Sequence, residues 1–387
     1  MPLRATLTNT WDHLQGFLFP VLRAEIGPLT PQHERLVIVL DVVRVEAFVP
    51  VLEGWPGRPP KDRHALARAF IAKAVLNVPT TAAMIERMAV DQTLRRLCGY
   101  EFASQVPDAG TFSRAFAEFA RSALPSRIHA ALIKETHKDR LVGHISRDVS
   151  KTRLRHDATA IEARETPVRA GPPAPAHAKR KRGRPKKGEV VAKKEPRRLE
   201  RQATMTLAEM LADLPTTCSV GTKRNAKGHT TSWTGYKLHI DTADGDVPIT
   251  CLLTSASVHD SQVAIPLAII TAERVDNLYD LMDSAYDAPE IHAKSIALGH
   301  KPIIDPHTKR GCKADSEREA RAKRLVGFVP AEAVRFKERS SAERVNSALK
   351  DSYGGRFVRV RGHAKVLCHL MFGILAQTVE QLMRLVT

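Results

Sequence analysis

Residues 166 to 203 divide the chain, because a segment of their composition cannot build a hydrophobic core. The segment consists largely of Pro, Ala, Lys and Arg and contains almost no large apolar side chain. It buries too little apolar surface to offset the entropy lost on ordering. We therefore predict a disordered basic linker at about 166–203. Hydrophobic residues make up 43% of the 387 residues, which is enough for an ordinary core on each side of it.

Helical periodicity predominates in residues 1–140. Phe112, Phe116 and Phe119 follow the i, i+4, i+7 spacing of one helix face, and Thr111 stands where a helix N-cap would be. We interpret these aromatic positions as packing residues. The pattern predicts an all-α N-terminal domain.

Strand-like alternation begins after the basic segment. Apolar and polar side chains alternate along 236–241 and again along 247–253, and Asp244-Gly245 between them is a hairpin turn signal. Further elements are predicted as helices at 261–274, 289–298, 340–351 and 363–385 and strands at 278–283 and 301–305. The order β-β-α-β-α-β indicates a mixed α/β sheet with flanking helices in residues 141–387.

The charge of the chain favours a polyanionic partner. Its 60 Lys and Arg residues against 42 Asp and Glu residues give a formal charge of +18 at pH 7. Half of that excess lies between Lys179 and Arg201, where 12 basic residues face three acidic ones. The part from Lys181 to Lys187 resembles an AT-hook, an arm that lays arginines into the minor groove of A·T-rich DNA. Its basic residues are Lys181, Arg182, Arg184, Lys186 and Lys187. A solvated linker with nonspecific affinity for phosphate remains the alternative.

Other classes of protein find little support in the sequence. The longest apolar run, Val366 to Ala376, is interrupted by Cys368-His369, so we expect no membrane span. Polar residues follow Arg4 where a signal peptide would be apolar, which favours a cytoplasmic protein. The five cysteines are scattered and form no CxxC pair, so the sequence indicates neither a disulfide framework nor a zinc ribbon.

Three acidic residues are candidates for catalysis. Asp157 follows a short segment expected to form the first strand of the sheet, and Asp283 ends a later predicted strand. Carboxylates at strand ends project into the crevice where α/β sheets bind ligands. Glu343 shares a helix face with Arg339 and Lys350, by spacings of four and seven residues. A solvated charged helix face with i,i+4 pairing would have the same spacing.

Taken together, these motifs resemble those of the DDE transposases of bacterial insertion sequences. Phe336, Arg339, Glu343 and Lys350 match the Tyr-Arg-Glu-Lys signature of that family at three positions and in all spacings. Similar blocks recur in the family's order at 107–114, 157–163, 235–239, 258–261 and 283–287. Phe336 replaces the signature tyrosine, which removes any hydrogen bond from that phenol but leaves ring packing or stacking available.

The resemblance implies an RNase H-like fold in which Asp157, Asp283 and Glu343 hold two Mg²⁺ or Mn²⁺ ions. It implies metal-dependent cleavage and strand transfer of double-stranded DNA at transposon ends, in a cytoplasmic, nucleoid-associated protein. Arg339 and Lys350 would contact phosphate, with Phe336 beside them. A homodimer on DNA is expected, with DNA binding or dimerisation as the role of residues 1–140. The alternatives are a stand-alone RNase H-like nuclease and a non-catalytic DNA-binding protein derived from a transposase.

Overall fold

A computed structural model of the chain describes residues 3–50, 61–138, 140–147, 160–168, 195–224, 230–305 and 331–386. The described residues up to Thr136 form helices, joined by a π-helical turn at Leu14–Leu18 and short 3-10 turns. The α-helices of this region are α1 Leu3–His13, α2 Phe19–Ile26, α3 Pro31–Val43, α4 Arg63–Val75, α5 Thr81–Val90, α6 Gln92–Leu97, α7 Ala109–Arg121 and α8 Leu124–Thr136. The prediction of a helical N-terminal region is confirmed.

Seven strands form one mixed sheet in the rest of the described chain. They are β1 Leu141–Arg147, β2 Ala160–Glu162, β3 Ser219–Arg224, β4 Thr230–Ala243, β5 Val247–Ser255, β6 Asp276–Met282 and β7 Lys301–Ile304. β1 is antiparallel to β4 and parallel to β6, and β7 is parallel to β6. β5 pairs with β4 as the predicted hairpin. This arrangement confirms the predicted mixed α/β sheet and agrees with the RNase H-like fold that the resemblance implies.

Helices cover both faces of the sheet. The later ones are α9 Arg198–Gln202, α10 Leu207–Asp213, α11 Ser261–Ala272, α12 Pro289–Ala297, α13 Ala331–Arg335, α14 Ser340–Ser352 and α15 His363–Met383. Side chains of α9 to α12 share apolar clusters with Met282 at the end of β6 and Leu252 of β5. α13 and α14 lie on the other face, where the guanidinium of Arg335 stacks on the ring of Tyr279 at 4.6 Å.

The C-terminal helix α15 joins the two regions of the chain. Fourteen of its residues are buried, and the apolar side chains among them share one hydrophobic core with α3, α4, α7 and α8 and with β4 and β5. Phe372 of α15 lies with its ring centre 5.8 Å from that of Phe70 on α4. By length and hydropathy this helix could cross a membrane, but 78% of its apolar window is buried against the rest of the chain. It is therefore built as a core helix.

A buried ionic cluster ties the three central strands together. Arg147, the last residue of β1, donates to both carboxylate oxygens of Asp241 on β4, at 2.8 and 2.7 Å. The same guanidinium lies 3.8 Å from the carboxylate of Asp280 on β6. Thr271 of α11 also donates to Asp241, and His300 bonds to Asp280. All three charged side chains are at most 1% exposed.

Some predicted boundaries differ from those in the structure. The first strand is Leu141–Arg147, which ends ten residues before Asp157, and the sequence did not predict it or the short strands β2 and β3. The predicted linker at 166–203 includes α9 at its C-terminal end, where Leu199 is buried beside Met210. Residues 169–194 lie outside the described ranges. Most helices and strands predicted between 247 and 305 lie within about two residues of their observed bounds, whereas β4 starts at Thr230, six residues before the predicted alternation at 236–241.

We predict that Arg147→Met lowers the free energy of unfolding by about 3–5 kcal/mol, because two buried carboxylates would lose their cation. Urea denaturation followed by circular dichroism measures this. Arg344→Ala is the matched control. Its side chain is half exposed, its partner is Asp246 in the β4–β5 turn, and its loss should cost less than about 1 kcal/mol. Equal effects of the two substitutions would contradict the importance of the buried cluster.

Candidate active site

Asp283 lies immediately after β6, in extended backbone with φ −85° and ψ 178°. Its carboxylate accepts a hydrogen bond of 2.8 Å from the backbone N–H of Ala285 and so caps a 3-10 turn at Ser284–Tyr286. The side chain is only 5% exposed. The strand-end position predicted for Asp283 is the one observed.

The alternation of β6 places Asp283 on the same face as α14. Tyr279 is two residues before Leu281 and four before Asp283. The guanidinium of Arg335 on α13 stacks on the ring of Tyr279. Side chains at i, i+2 and i+4 of a strand share one face. On neighbouring β1, Ser146 donates to the carbonyl of Glu338, in the 3-10 turn that leads into α14. Asp283 therefore faces the segment that carries Glu343.

α14 carries Glu343 on a face that is separate from its packing face. Ala342, Val345 and Leu349 are at most 1% exposed and form the packing side, as predicted. Helix α15 fixes the position of α14, because Gln377 donates to the carbonyl of Val345 at 3.1 Å. Lys350, in the last turn, is half-buried and has contacts of its own.

The ion pair that an i,i+4 spacing allows is not formed here. Glu343 is half-buried and has no hydrogen bond or ion pair within the described part of the chain. The guanidinium of Arg339 stacks on Phe336 at 4.6 Å, so the ring contact expected for the phenylalanine is present. Nη1 of Arg339 is buried without an acceptor among the described residues. This face thus presents a carboxylate and a cationic N–H group that are both available to bind a ligand.

Three other aspartates near Asp283 in sequence are engaged elsewhere. Asp280 belongs to the buried cluster; burial would raise its pKa, but Arg147 and His300 lower it to about 2. Asp260 pairs with Lys237 at 3.2 Å, and Asp287 bonds to His292 at 3.1 Å. Their partners make them poorer metal ligands than Asp283 or Glu343.

Several predicted site residues lie outside the described ranges. They are Asp157 and the linker residues Lys181, Arg182, Arg184, Lys186 and Lys187. Within the ranges that are described, no group of three or more His, Cys, Asp or Glu side chains is placed to hold a metal ion. The structure brings Asp283 and Glu343 to one face of the sheet and leaves Asp157 a prediction.

The donor chemistry at this face suits a hard cation. Asp283 and Glu343 offer carboxylate oxygens, which Mg²⁺ and Mn²⁺ prefer. Because Glu343 has no partner within the described chain, its oxygens are available for coordination. A set of two carboxylates, completed by a third, fits the expected divalent ions.

The sequence reasoning missed Arg147 and Ser146, which support the site from β1. Ser146 holds the entry of α14, and Arg147 ties β1 to β4 and β6. Leu141–Arg147 has no clear apolar-polar alternation, because His144, Ser146 and Arg147 stand at buried positions, so no local pattern marked this strand.

Comparison with protein families places this chain in a known group. Residues 151–379, more than half of the chain, match the family described as "Transposase DDE domain". Residues 25–118 match a second family, described as "Transposase domain (DUF772)". The chain belongs to the DDE transposase family, and both matches support a transposase function in general. Searches of curated proteins and of solved structures found no significant match.

We predict that Glu343→Gln leaves folding intact, with a change in unfolding free energy below about 0.5 kcal/mol, because the carboxylate has no partner in the described chain. Asp283→Ala should cost about 1 kcal/mol, since it removes the cap on Ala285. Urea denaturation of both variants tests this. A large loss of stability in Glu343→Gln would show that Glu343 has a structural role.

Proposed function

We propose that this protein is a DNA transposase that cleaves DNA strands at insertion-sequence ends and transfers them to a target. The observation that carries the proposal is that Asp283 and Glu343 lie on one face of the sheet. Glu343 has no partner in the described chain. The chain also belongs to a family of transposases. Asp157 is the third acidic residue of the proposal.

Asp157, Asp283 and Glu343 would hold two divalent ions, Mg²⁺ or Mn²⁺, which supply Lewis-acid activation of the attacking oxygen and stabilisation of the leaving oxygen. Carboxylates converging on one site repel one another, so they need such cations to remain ionised together. The capping bond from Ala285 fixes one oxygen of Asp283 and restricts its orientation.

The reaction is an in-line displacement at phosphorus. Attack by water breaks the P–O3′ bond and leaves a strand end with a free 3′-hydroxyl. That hydroxyl then attacks a phosphodiester of target DNA, forming one P–O bond and breaking another. Arg339 and Lys350 would position phosphates beside the carboxylates, because cations on a fixed helix face hold the backbone without reading its sequence. Phe336 supports Arg339 by stacking.

The remaining partners follow from the same proposal. The protein would act as a homodimer on double-stranded DNA, because two transposon ends must be held together. The basic linker residues Lys181, Arg182, Arg184, Lys186 and Lys187 would grip DNA outside the active site. A cytoplasmic, nucleoid-associated location is consistent with this substrate.

Replacing Glu343 by Gln tests the proposed chemistry. We expect nicking of supercoiled plasmid in Mg²⁺ to fall at least a hundredfold, roughly the effect of losing one key charged group in an active site, while duplex binding stays within twofold. Glu338→Gln is the matched control, because its side chain is exposed one turn earlier and should leave nicking unchanged. Nicking that survives Glu343→Gln would sink the assignment.

Two alternatives give different products in the same assay. A stand-alone nuclease would nick the plasmid but would not join a labelled duplex with a free 3′-hydroxyl to it. A non-catalytic DNA-binding protein would bind the duplex and give neither product.

The first acidic position has a rival to Asp157. In the parallel pairing of β1 with β6, Ser146 lies beside Leu281. Asp283 is two residues after Leu281, and Asp148 is two residues after Ser146 in the sequence. The family match starts at residue 151, so it includes Asp157 and leaves Asp148 out.

Separate Asp148→Asn and Asp157→Asn variants decide between these residues. We expect one of them to abolish nicking without weakening duplex binding and the other to retain nicking within a few-fold, because only one carboxylate can complete the set. Plasmid nicking and fluorescence anisotropy provide the two measurements. Normal nicking by both variants would refute a third carboxylate in residues 148–157.

A further inference from the structure

A basic cleft lies between the helical N-terminal region and the segment that precedes α15. Its cavity has a volume of about 410 Å³. Phe112, Ser113 and Phe116 of α7 line one side of it. Its cationic lining residues are Arg164, Arg359, Arg361 and Lys365. We use the name basic cleft for these four residues together with Lys73, which lines an adjoining cavity. The sequence motifs did not point to any of these cations.

Packing directs these cations to the cleft. In the segment 358–361, Val358 is buried and Val360 packs against the core, whereas the alternating Arg359 and Arg361 are exposed. His363, at the start of α15, anchors the segment through a 2.7 Å hydrogen bond to the carbonyl of Leu253. The arginines are therefore presented by a fixed segment of backbone.

The cations of the cleft are not neutralised within the described chain. Arg164, Arg359, Arg361 and Lys365 have no ion pair with any described residue, and no carboxylate lines the described cavity. The nearby Glu165 is engaged, because it accepts from the hydroxyl of Tyr236 and from the N–H of Gly362 at 2.7 Å. Among the described residues, therefore, nothing compensates the positive charge of the cleft.

A smaller cavity of about 90 Å³ shares Phe70, Thr81, Phe116 and Arg359 with the cleft and is also lined by Lys73 of α4. Lys73 is 9% exposed and has no polar partner in the described chain. Burial lowers the pKa of its ammonium group to about 8. A buried amine without a partner must lose its proton or acquire an anion, so Lys73 in a cavity wall is a candidate donor to a phosphate oxygen.

We propose that the basic cleft binds the phosphate backbone of a DNA duplex, at a second contact separate from the acidic site. The proposal rests on the DNA substrate proposed above. Arginines from two separate segments, without ion pairs in the described chain and with a buried lysine behind them, provide the donors that phosphate oxygens accept. The contact would bind DNA irrespective of its sequence, because it offers charge and no pattern for base edges.

Duplex binding without metal tests the cleft. Fluorescence anisotropy with a random-sequence duplex of about 30 base pairs in EDTA, across a KCl series, compares the chain with Arg359→Ala/Arg361→Ala. We expect about tenfold weaker binding, and the slope of log affinity against log salt should shrink by about 2, because each neutralised phosphate contributes roughly 0.9 to that slope. The control Lys134→Ala/Lys138→Ala removes two exposed cations near the end of α8 and should stay within twofold.

Lys73→Met separates binding from folding. It should raise the urea midpoint, because it removes a buried charge that has no partner in the described chain, and weaken duplex binding about threefold. A drop in stability together with unchanged binding would overturn the role of Lys73.

Other outcomes also overturn the proposal. They are an unchanged salt slope in the double arginine variant, an equal decrease in affinity in the control, and weaker binding of an RNA hairpin but not of the duplex. Because the assay contains no metal, it is independent of nicking. If the protein does not nick DNA, the double arginine variant can still bind duplex more weakly. If nicking requires Glu343, the same variant can still bind duplex normally, so the two proposals fail independently.

Discussion

The buried contact of Arg147 with Asp241 and Asp280 sets the geometry on which the rest of the sheet region depends. It joins the ends of β1, β4 and β6 inside the protein, where a guanidinium without its carboxylates would be very costly. Burial alone would lower the pKa of Arg147, but the two carboxylates raise it, so the cation is retained. Because the ion pairs face α11 and α12, the opposite face of β6 is left for Asp283 and α14.

This division of the sheet separates a structural acid from a candidate catalytic one. Asp280 and Asp283 are three residues apart, yet they point to opposite faces and have different partners. Asp280 is enclosed by Arg147 and His300, whereas Asp283 bonds to the backbone of Ala285 at the strand end. Strand alternation alone produces that difference. The number of acidic residues does not identify the candidate site. Their positions along the strand do, because odd and even positions place side chains on opposite faces of the sheet.

The sequence predicted regular elements well wherever periodicity and turn signals agreed, as in the β4–β5 hairpin and α14. It failed for β1, because buried His144, Ser146 and Arg147 interrupt the apolar pattern, and their burial depends on partners distant in sequence. The pairing of Arg147 with Asp241 spans 94 residues, and no local pattern encodes it. At the site, Asp283 and the helix face of Glu343 could be predicted from spacing, but the lack of a partner for Glu343 in the described chain could not.

The C-terminal helix α15 contacts both α14 and the basic cleft. The apolar residues Leu370, Ile374 and Leu382 of this helix are buried and serve packing within the chain, whereas Leu385, beyond its end, is 38% exposed. Its middle holds α14 through Gln377, and its first turn carries Lys365 at the basic cleft. A rigid helix that touches both places fixes their separation. We therefore expect DNA bound in the cleft to lie at a constant distance from the face of Glu343.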